Sequence, residues 1–121
     1  MATVFIVEDE EDLHYIYKAL LSVKGHVVVA SAFDGDEAIE KYSQLDPKPD
    51  IIMMDHRMPK MDGISATREL KQACPDCKII FISADETVRQ KAMEAGAEVF
   101  QVKPIRAHEL YTIITQLTSS A

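Results

Sequence analysis

The sequence predicts an α/β domain: five strands alternating with five helices, the strands forming one parallel sheet with helices on both faces. Three observations predict it. Five short apolar runs recur along the chain, segments of helical period separate them, and most runs are continuously apolar. Continuous apolarity suits the strands of a parallel sheet covered on both sides, whereas a strand with one wet face alternates. Strict strand–helix alternation brings right-handed crossovers and a three-layer sandwich.

The predicted strands are Val4–Val7, Val27–Ala30, Ile51–Met54, Ile79–Ile82 and Val99–Val102. The first helix is carried by Leu13, Ile16, Tyr17, Leu20 and Leu21, spaced i, i+3, i+4, i+7 and i+8, and Gly25 closes it. Ala38, Ile39 and Tyr42 mark a second helix, opened near Asp34-Gly35 and stopped before Pro47. Ala66, Leu70 and Ala73 mark a third, stopped by Pro75. Thr87 to Ala95 is a weaker helix resting on Val88, Ala92 and Met93, with Gly96 at its end. Leu110, Ile113, Ile114 and Leu117 give the fifth helix a clear stripe.

The 121 residues are read as one domain, 1–121, with 47% hydrophobic and 27% charged residues. No run approaches the ~20 apolar residues of a membrane-spanning helix. Met1-Ala2-Thr3-Val4 enters a strand without a basic stretch, so no signal peptide is expected and the expected location is cytoplasmic. The tail, Thr118 to Ala121, fits a stand-alone protein and an excised domain equally. A net charge of -7, from 13 basic and 20 acidic residues, argues against nucleic-acid binding, which depends on Lys and Arg neutralising phosphates. The expected partner is a protein.

Cys74-Pro75-Asp76-Cys77 has the C-x-x-C spacing of a redox pair or of half a zinc site. It lies between a helix and the next strand, where a redox motif normally follows a strand and opens a helix. No second Cys or His pair is placed to complete four zinc ligands. It is read as two reduced thiols in a connecting loop.

The strand ends carry the chemistry. Glu8-Asp9 follows the first strand, Asp55 the third, Ser83 the fourth and Lys103-Pro104 the fifth. Parallel sheets bind ligands outside the carboxyl ends of their strands. Three carboxylates gathered there repel one another, by about 4 kcal/mol per pair at 4 Å and an effective dielectric of 20, unless a cation or proton relieves them. Oxygen-only ligands at an open site suit Mg²⁺, which shares its shell with water and phosphate. Lys103 and Ser83 add a positive charge and a donor, the groups a transferring phosphoryl requires. Glu10, Glu11 and Asp12 are read only as acids that complement a helix N-terminus.

Glu8-Asp9, Met53-Met54-Asp55, Met58-Pro59, Asp62-Gly63, Ser83-Ala84 and Lys103-Pro104 resemble the signature of response-regulator receiver domains, in order and over essentially the whole chain. The resemblance implies a flavodoxin-like fold with strand order 2-1-3-4-5. It implies that Asp55 accepts a phosphoryl group from a histidine kinase or phosphotransfer protein, and that Mg²⁺ is held by Asp9, Asp55, Glu8 (largely through water) and the Arg57 carbonyl. Ser83 resembles the switch hydroxyl, Lys103 the lysine that pairs with phosphoryl oxygens, and Phe100 the switch aromatic. The bond from Lys103 to Pro104 is expected to be cis. A downstream effector or output domain would read the face made by the fourth helix, fifth strand and fifth helix, through which a weak homodimer is also expected.

Three positions depart from the family or vary within it. His56 stands where an aliphatic residue is usual. Because neighbours on a strand alternate, its ring is expected in the sheet layer, largely buried and satisfied. Arg57 and Asp85 flank the phosphoryl pocket, and their opposite charges suggest an ion pair that obstructs water. The rival readings fit less well. A phosphatase with an aspartyl-phosphate intermediate generally wants an acid where Arg57 stands. A flavodoxin-like cofactor binder wants a Ser-, Thr- and Gly-rich first loop where this one is acidic. An inactive receiver would lack one of the chemical positions, and all are filled. The expectation is a signalling switch that catalyses only its own phosphorylation and dephosphorylation.

Overall fold

The computed structural model describes residues 1–119; Ser120 and Ala121, which close the predicted domain and tail, lie outside them. The elements run β1 (Thr3–Val7), α1 (Glu11–Val23), β2 (Val27–Ala32), α2 (Gly35–Gln44), β3 (Ile51–Asp55), α3 (Gly63–Ala73), β4 (Ile79–Ser83), a 3-10 turn (Glu86–Val88), α4 (Arg89–Ala95), β5 (Val99–Val102) and α5 (Ala107–Thr118). All four strand pairings are parallel, and the sheet order is β2-β1-β3-β4-β5. This is the flavodoxin-like three-layer arrangement that the sequence predicts.

Two apolar cores sit on the two faces of the sheet. Phe5, Val7, Ile52, Met54, Ile79 and Phe81 face α2, α3 and α4, while Val4, Ile6, Ile51, Met53, Ile80 and Ile82 face α1 and α5. Every residue of β3 and β4 is buried, which is why those runs are continuously apolar. Strand β2 differs. It lies at an edge, reaches Ala32 instead of stopping at Ala30, and leaves Val27 and Val29 exposed. Its register against β1 slips between Val4 and Phe5, which blunts an otherwise open edge.

Helix ends follow local chemistry. The side chains of Asp34 and Asp62 accept from the Glu37 and Ser65 N–H groups, each at 2.8 Å, and so cap α2 and α3. Gly25 (φ 76°) and Gly96 (φ 116°) take the left-handed conformation just after α1 and α4. The predicted fourth helix is divided, its first turn being 3-10 and α4 beginning only at Arg89. Ala92 and Ala95 bury its inner face, and Met93 is exposed, contrary to the sequence reading. Ile16 on α1 is also exposed, while His14 takes an inward place.

The amino ends of β4 and β5 are tied together by one lysine. Lys71 Nζ reaches Glu98 Oε2 and the Cys77 carbonyl, both at 2.6 Å, and the Pro75 carbonyl at 3.2 Å. The other Glu98 oxygen accepts the Ile79 N–H at 2.7 Å. Cys74 and Cys77 are free thiols in the loop between α3 and β4.

Candidate functional site

The carboxyl ends of β1, β3, β4 and β5 open into a cleft of 570 Å³ lined by Asp9, Glu10, Asp55, Arg57, Ser83, Ala84, Asp85 and Lys103. Each chemical residue is the last of its strand or lies immediately beyond it, so strand pairing alone fixes their mutual placement. Met54 pairs with Val7 and Phe81, and Asp55 with Ile82, which sets Asp55 in the middle of the rim. Met58 and Met61 pack against the core below the loop that leaves Asp55.

Glu8, Asp9 and Asp55 offer carboxylate oxygens all within 4.8 Å of one another. Glu8 and Asp55 are buried, and Asp9 is exposed. Lys103 Nζ lies 2.9 Å from Asp55 Oδ1 and 3.0 Å from Glu8 Oε1. One ammonium thus serves two buried carboxylates, and with Asp9 the ionised group carries a charge of -2. Hard oxygen donors at an open rim, with net negative charge still uncompensated, fit a divalent cation that keeps part of its water. The Glu10 N–H donates to Glu8 Oε2 at 3.1 Å, fixing the second Glu8 oxygen.

The protonation equilibria follow from this crowding. Burial first, and the Asp55 charge second, push the Glu8 carboxyl from 4.5 up to about 7, against the opposing pull of Lys103. Burial also raises Asp55, opposed by its hydrogen bond from Lys103. Burial works against the Lys103 ammonium, yet the contacts to Asp55 and Glu8 outweigh it and its pKa is raised. Lysine and carboxylates therefore shift in the same upward sense. The carboxylates rise chiefly because they are buried, and the lysine rises because two of them share it.

A pH dependence follows. Between 4.5 and about 7 the folded chain holds a proton on Glu8 that the unfolded chain has released. The resulting stability is fully present below 4.5 and is lost as pH rises through about 7. Cation binding has the opposite slope, because the carboxylates must be deprotonated to act as ligands. Urea unfolding in EDTA should show the stability of the wild type relative to Glu8→Gln declining across this window. Mg²⁺ affinity should rise across it and level off above about 7. A flat difference between the two proteins would contradict this account of Glu8.

Ser83 is buried at the end of β4, and its hydroxyl accepts the Asp85 N–H at 3.1 Å. Ala84 beside it is exposed and small. Arg57 and Asp85 do pair, but at 3.9 Å and with the Arg57 side chain 83% exposed, so the bridge is loose. Hydrogen bonds from Thr87 to its carboxylate hold Asp85 below its usual range. Phe100 is buried, stacked on Phe81 at 5.9 Å, with the Arg89 guanidinium 4.6 Å over its ring. The Lys103–Pro104 bond is cis.

His56 corrects the sequence reading. Its ring leans toward Phe81, with centroids 5.9 Å apart, as strand alternation requires. The residue is only half-buried, and its Nδ1 has no hydrogen-bond partner among the described residues. It is neither deeply buried nor satisfied, because β3 ends one residue earlier and the chain turns away toward Gly63.

The sequence reading missed His14 altogether. This residue of α1 is 2% exposed, its Nε2 is 2.6 Å from the Glu8 carbonyl, and its ring lies 4.3 Å from that of Phe33. It therefore supports the backbone that presents Glu8 and Asp9. The row His14, Tyr17, Leu21, at i, i+3 and i+7, carried the signal. The tie from Lys103 to Glu8 was also missed, since spacing cannot say which of three acids a lysine will reach.

The comparisons agree with this geometry. The model of the response regulator receiver domain matches residues 4–115. The chemotaxis protein CheY of Thermotoga maritima is 36% identical over 117 residues, covering 95% of this chain and 96% of that protein. CheY of Bacillus subtilis is 37% identical over 115 residues, covering 93% and 94%. Among solved structures, the CheX-CheY-BeF3-Mg+2 complex from Borrelia burgdorferi contains a chain that superposes with a TM-score of 0.91 at 28% identity, covering 98% of this chain and 90% of that one. The response regulator protein TrrA from Thermotoga maritima, in complex with Mg(2+)-BeF, gives 0.87 at 26% identity, covering 97% and 99%. A parallel sheet in the order 2-1-3-4-5, an acidic cluster at its carboxyl rim and these relatives lead to one conclusion: the chain belongs to the response regulator receiver domain family.

Proposed function

We propose that Asp55 is the acceptor of a phosphoryl group delivered by the phosphohistidine of a sensor kinase or phosphotransfer protein, and that this event switches the surface read by a protein effector. The observation that carries the reading is the convergence of Asp55, Asp9 and Glu8 with a lysine that touches two of them. Receiver domains are phosphoryl-accepting switches, and the chemistry proposed for this chain is limited to gaining and losing its own phosphoryl group. The reading treats residues 1–121 as one receiver working in the cytoplasm.

In this mechanism an oxygen of the ionised Asp55 carboxylate attacks phosphorus, the P–N bond breaks, and the donor imidazole keeps the electron pair. Lys103 holds Asp55 in place before transfer and meets the phosphoryl oxygens during it. Asp9, Asp55, Glu8 acting through water and the Arg57 carbonyl would hold Mg²⁺, which supplies the charge neutralisation that phosphoryl oxygens need. Ser83 would give up the Asp85 N–H and donate its hydroxyl to the new phosphoryl group. Phe100, wedged between Phe81 and Arg89, would carry that shift to the surface of α4, β5 and α5. That surface is also where a weak homodimer would form.

The test is direct. The protein is incubated with Mg²⁺ and a small-molecule phosphodonor, and the base-labile adduct is mapped by mass. A single phosphoryl on Asp55 that disappears in Asp55→Asn supports the reading. Absence of any adduct, or an adduct that persists in Asp55→Asn, rejects it.

The Arg57–Asp85 pair spans the mouth of the same cleft. If it obstructs the hydrolytic water, Arg57→Ala and Asp85→Ala should each speed loss of the phosphoryl group. A loose exposed pair contributes at most about 1 kcal/mol, so the acceleration should not exceed roughly fivefold. Unchanged dephosphorylation rates in both variants would show that the pair does not gate water.

A further inference from the structure

The C-x-x-C turn lies far from the acidic cleft, at the opposite end of β4, and the receiver chemistry leaves it unused. Cys74 ends α3, and the Cys77 N–H donates to the Cys74 carbonyl at 3.1 Å across Pro75 and Asp76. That bond closes a β-turn, which holds the two Cα atoms within about 7 Å. A disulfide requires about 4.4–6.8 Å. Proline at the second position of the turn fixes φ in advance, so the two ends stay near one another without further ordering. Both side chains pack with the core on the α2 and α3 side of the sheet.

The surroundings differ for the two thiols. Cys74 is half-buried and opens onto a small apolar cleft between α2 and α3, beside Tyr42, Leu70 and Lys48. Cys77 is 5% exposed. Tyr42 lies beside both: burial first, then the neighbouring Cys74 and Cys77, raise its hydroxyl. The Tyr42 hydroxyl is buried beside the two thiols and has no other polar partner among the described residues. Lys71 binds the carbonyls of Pro75 and Cys77 and sets its positive charge beside the inner thiol, where it favours the thiolate.

We propose that Cys74 and Cys77 form a reversible intramolecular disulfide across this turn, making it a redox modification site independent of the phosphoryl chemistry. The oxidant is a low-molecular-weight disulfide such as oxidised glutathione. The accessible Cys74, as thiolate, attacks one sulfur of the oxidant; the oxidant's S–S bond breaks and one thiolate leaves, to be protonated. Cys77 then gives up its proton and attacks Cys74 Sγ, and the second small thiolate departs. Two electrons and two protons pass from the cysteines to the oxidant, which becomes two thiols. Burial pushes the Cys77 thiol up to about 11, so it acts second, as the resolving thiol, and the second step is the slower. The position of the motif after a helix, and not ahead of one, separates it from dithiol oxidoreductases. Here the bond would clamp the turn between α3 and β4 without turning over a substrate.

The full chain is equilibrated, folded, in glutathione buffers of graded oxidised-to-reduced ratio, quenched with a maleimide and read by intact mass and peptide mapping. The expected result is loss of both maleimide additions at oxidising ratios. The unlabelled species should be lighter than the reduced chain by two hydrogen atoms and carry a Cys74–Cys77 cross-link that dithiothreitol reverses. Cys77→Ala should stop at a glutathione adduct on Cys74, and Cys74→Ser should react far more slowly. Both thiols labelled at every ratio, a cross-link found only between molecules, or a cross-link that forms only in urea would each overturn the proposal.

Discussion

Lys103→Ala should lose both stability and phosphoryl acceptance, and the two losses should respond differently to pH and to Mg²⁺. The ammonium lies within 3.0 Å of two buried carboxylates, so its removal leaves Glu8 and Asp55 without a compensating charge. Removing one partner of a buried pair typically destabilises by about 3–5 kcal/mol. The upper end does not apply here, because Lys103 is 21% exposed and the carboxylates can escape by taking up protons. A loss of about 2–3 kcal/mol near pH 8 is expected, shrinking toward pH 5 as Glu8 protonates. Mg²⁺ should restore part of the stability at pH 8, since a divalent cation replaces the missing charge. It should not restore acceptance. A positioned cation that meets charge developing in the transition state contributes on the order of 10²–10³ in rate, and that factor should persist at saturating Mg²⁺. Urea titrations with and without Mg²⁺, set beside the rate of adduct formation on Asp55, measure both. Equal stability of the two proteins at pH 8 in EDTA would remove Lys103 from the role given to it.

Gly63→Ala should be the most damaging of the glycine-to-alanine changes. A Cβ at Gly63 would sit 2.0 Å from the Asp55 carbonyl oxygen and 2.9 Å from both the Asp55 carbonyl carbon and the His56 Cα. All three are backbone atoms, so no side chain can rotate away. The Gly63 N–H also donates to the His56 carbonyl at 2.9 Å, which holds the first turn of α3 against the loop leaving Asp55. Overpacking in a tight core costs about 1–3 kcal/mol and occasionally more, and a collision with main chain belongs at the upper end. About 3 kcal/mol is expected, together with weaker Mg²⁺ binding, because relief of the clash displaces the strand end that carries Asp55. Gly25→Ala is the control. Nothing lies within 4 Å of its added Cβ, and only its positive φ opposes the change, so a loss of about 1 kcal/mol with unaltered Mg²⁺ binding is expected. Thermal or urea unfolding decides between them, and similar losses for both glycines would show that the contact with Asp55 yields freely.

These positions explain what could be read ahead of the structure. The placement of Asp55, Ser83 and Lys103 at the rim was legible because each stands at the end of a strand, Asp55 and Ser83 closing wholly buried runs and Lys103 following the half-buried β5. The interior strands β1, β3 and β4 were legible for the same reason, since burial on both faces leaves a continuous apolar signature. The edge strand β2 was misjudged at its carboxyl end, where Ser31 interrupts the apolar run although pairing with β1 continues to Ala32. The fourth helix was blurred because Met93 suggests a buried face while two small alanines supply it. His14 was overlooked because histidine does not announce itself as apolar, and only its spacing with Tyr17 and Leu21 places it inside. The shared lysine lay beyond any reading of spacing, for its choice between acids depends on side-chain reach across strands that are 95 residues apart in sequence.

The Lys71 tie at the amino ends of β4 and β5 has a mechanical meaning. With Glu98 and two loop carbonyls fastened around one ammonium, and the Ile79 N–H donating to the same Glu98 carboxylate, these two strands are pinned at their base. At the opposite tips the Ser83 carbonyl accepts the Lys103 N–H at 2.9 Å and Lys103 reaches Glu8 and Asp55, but the Ser83 hydroxyl is held by a single amide, and the ion pair beyond it is open to water. With the strand backbones anchored at both ends, the hydroxyl is the part of the rim that yields first, so a small force on it is spent on turning one side chain and not on loosening the sheet.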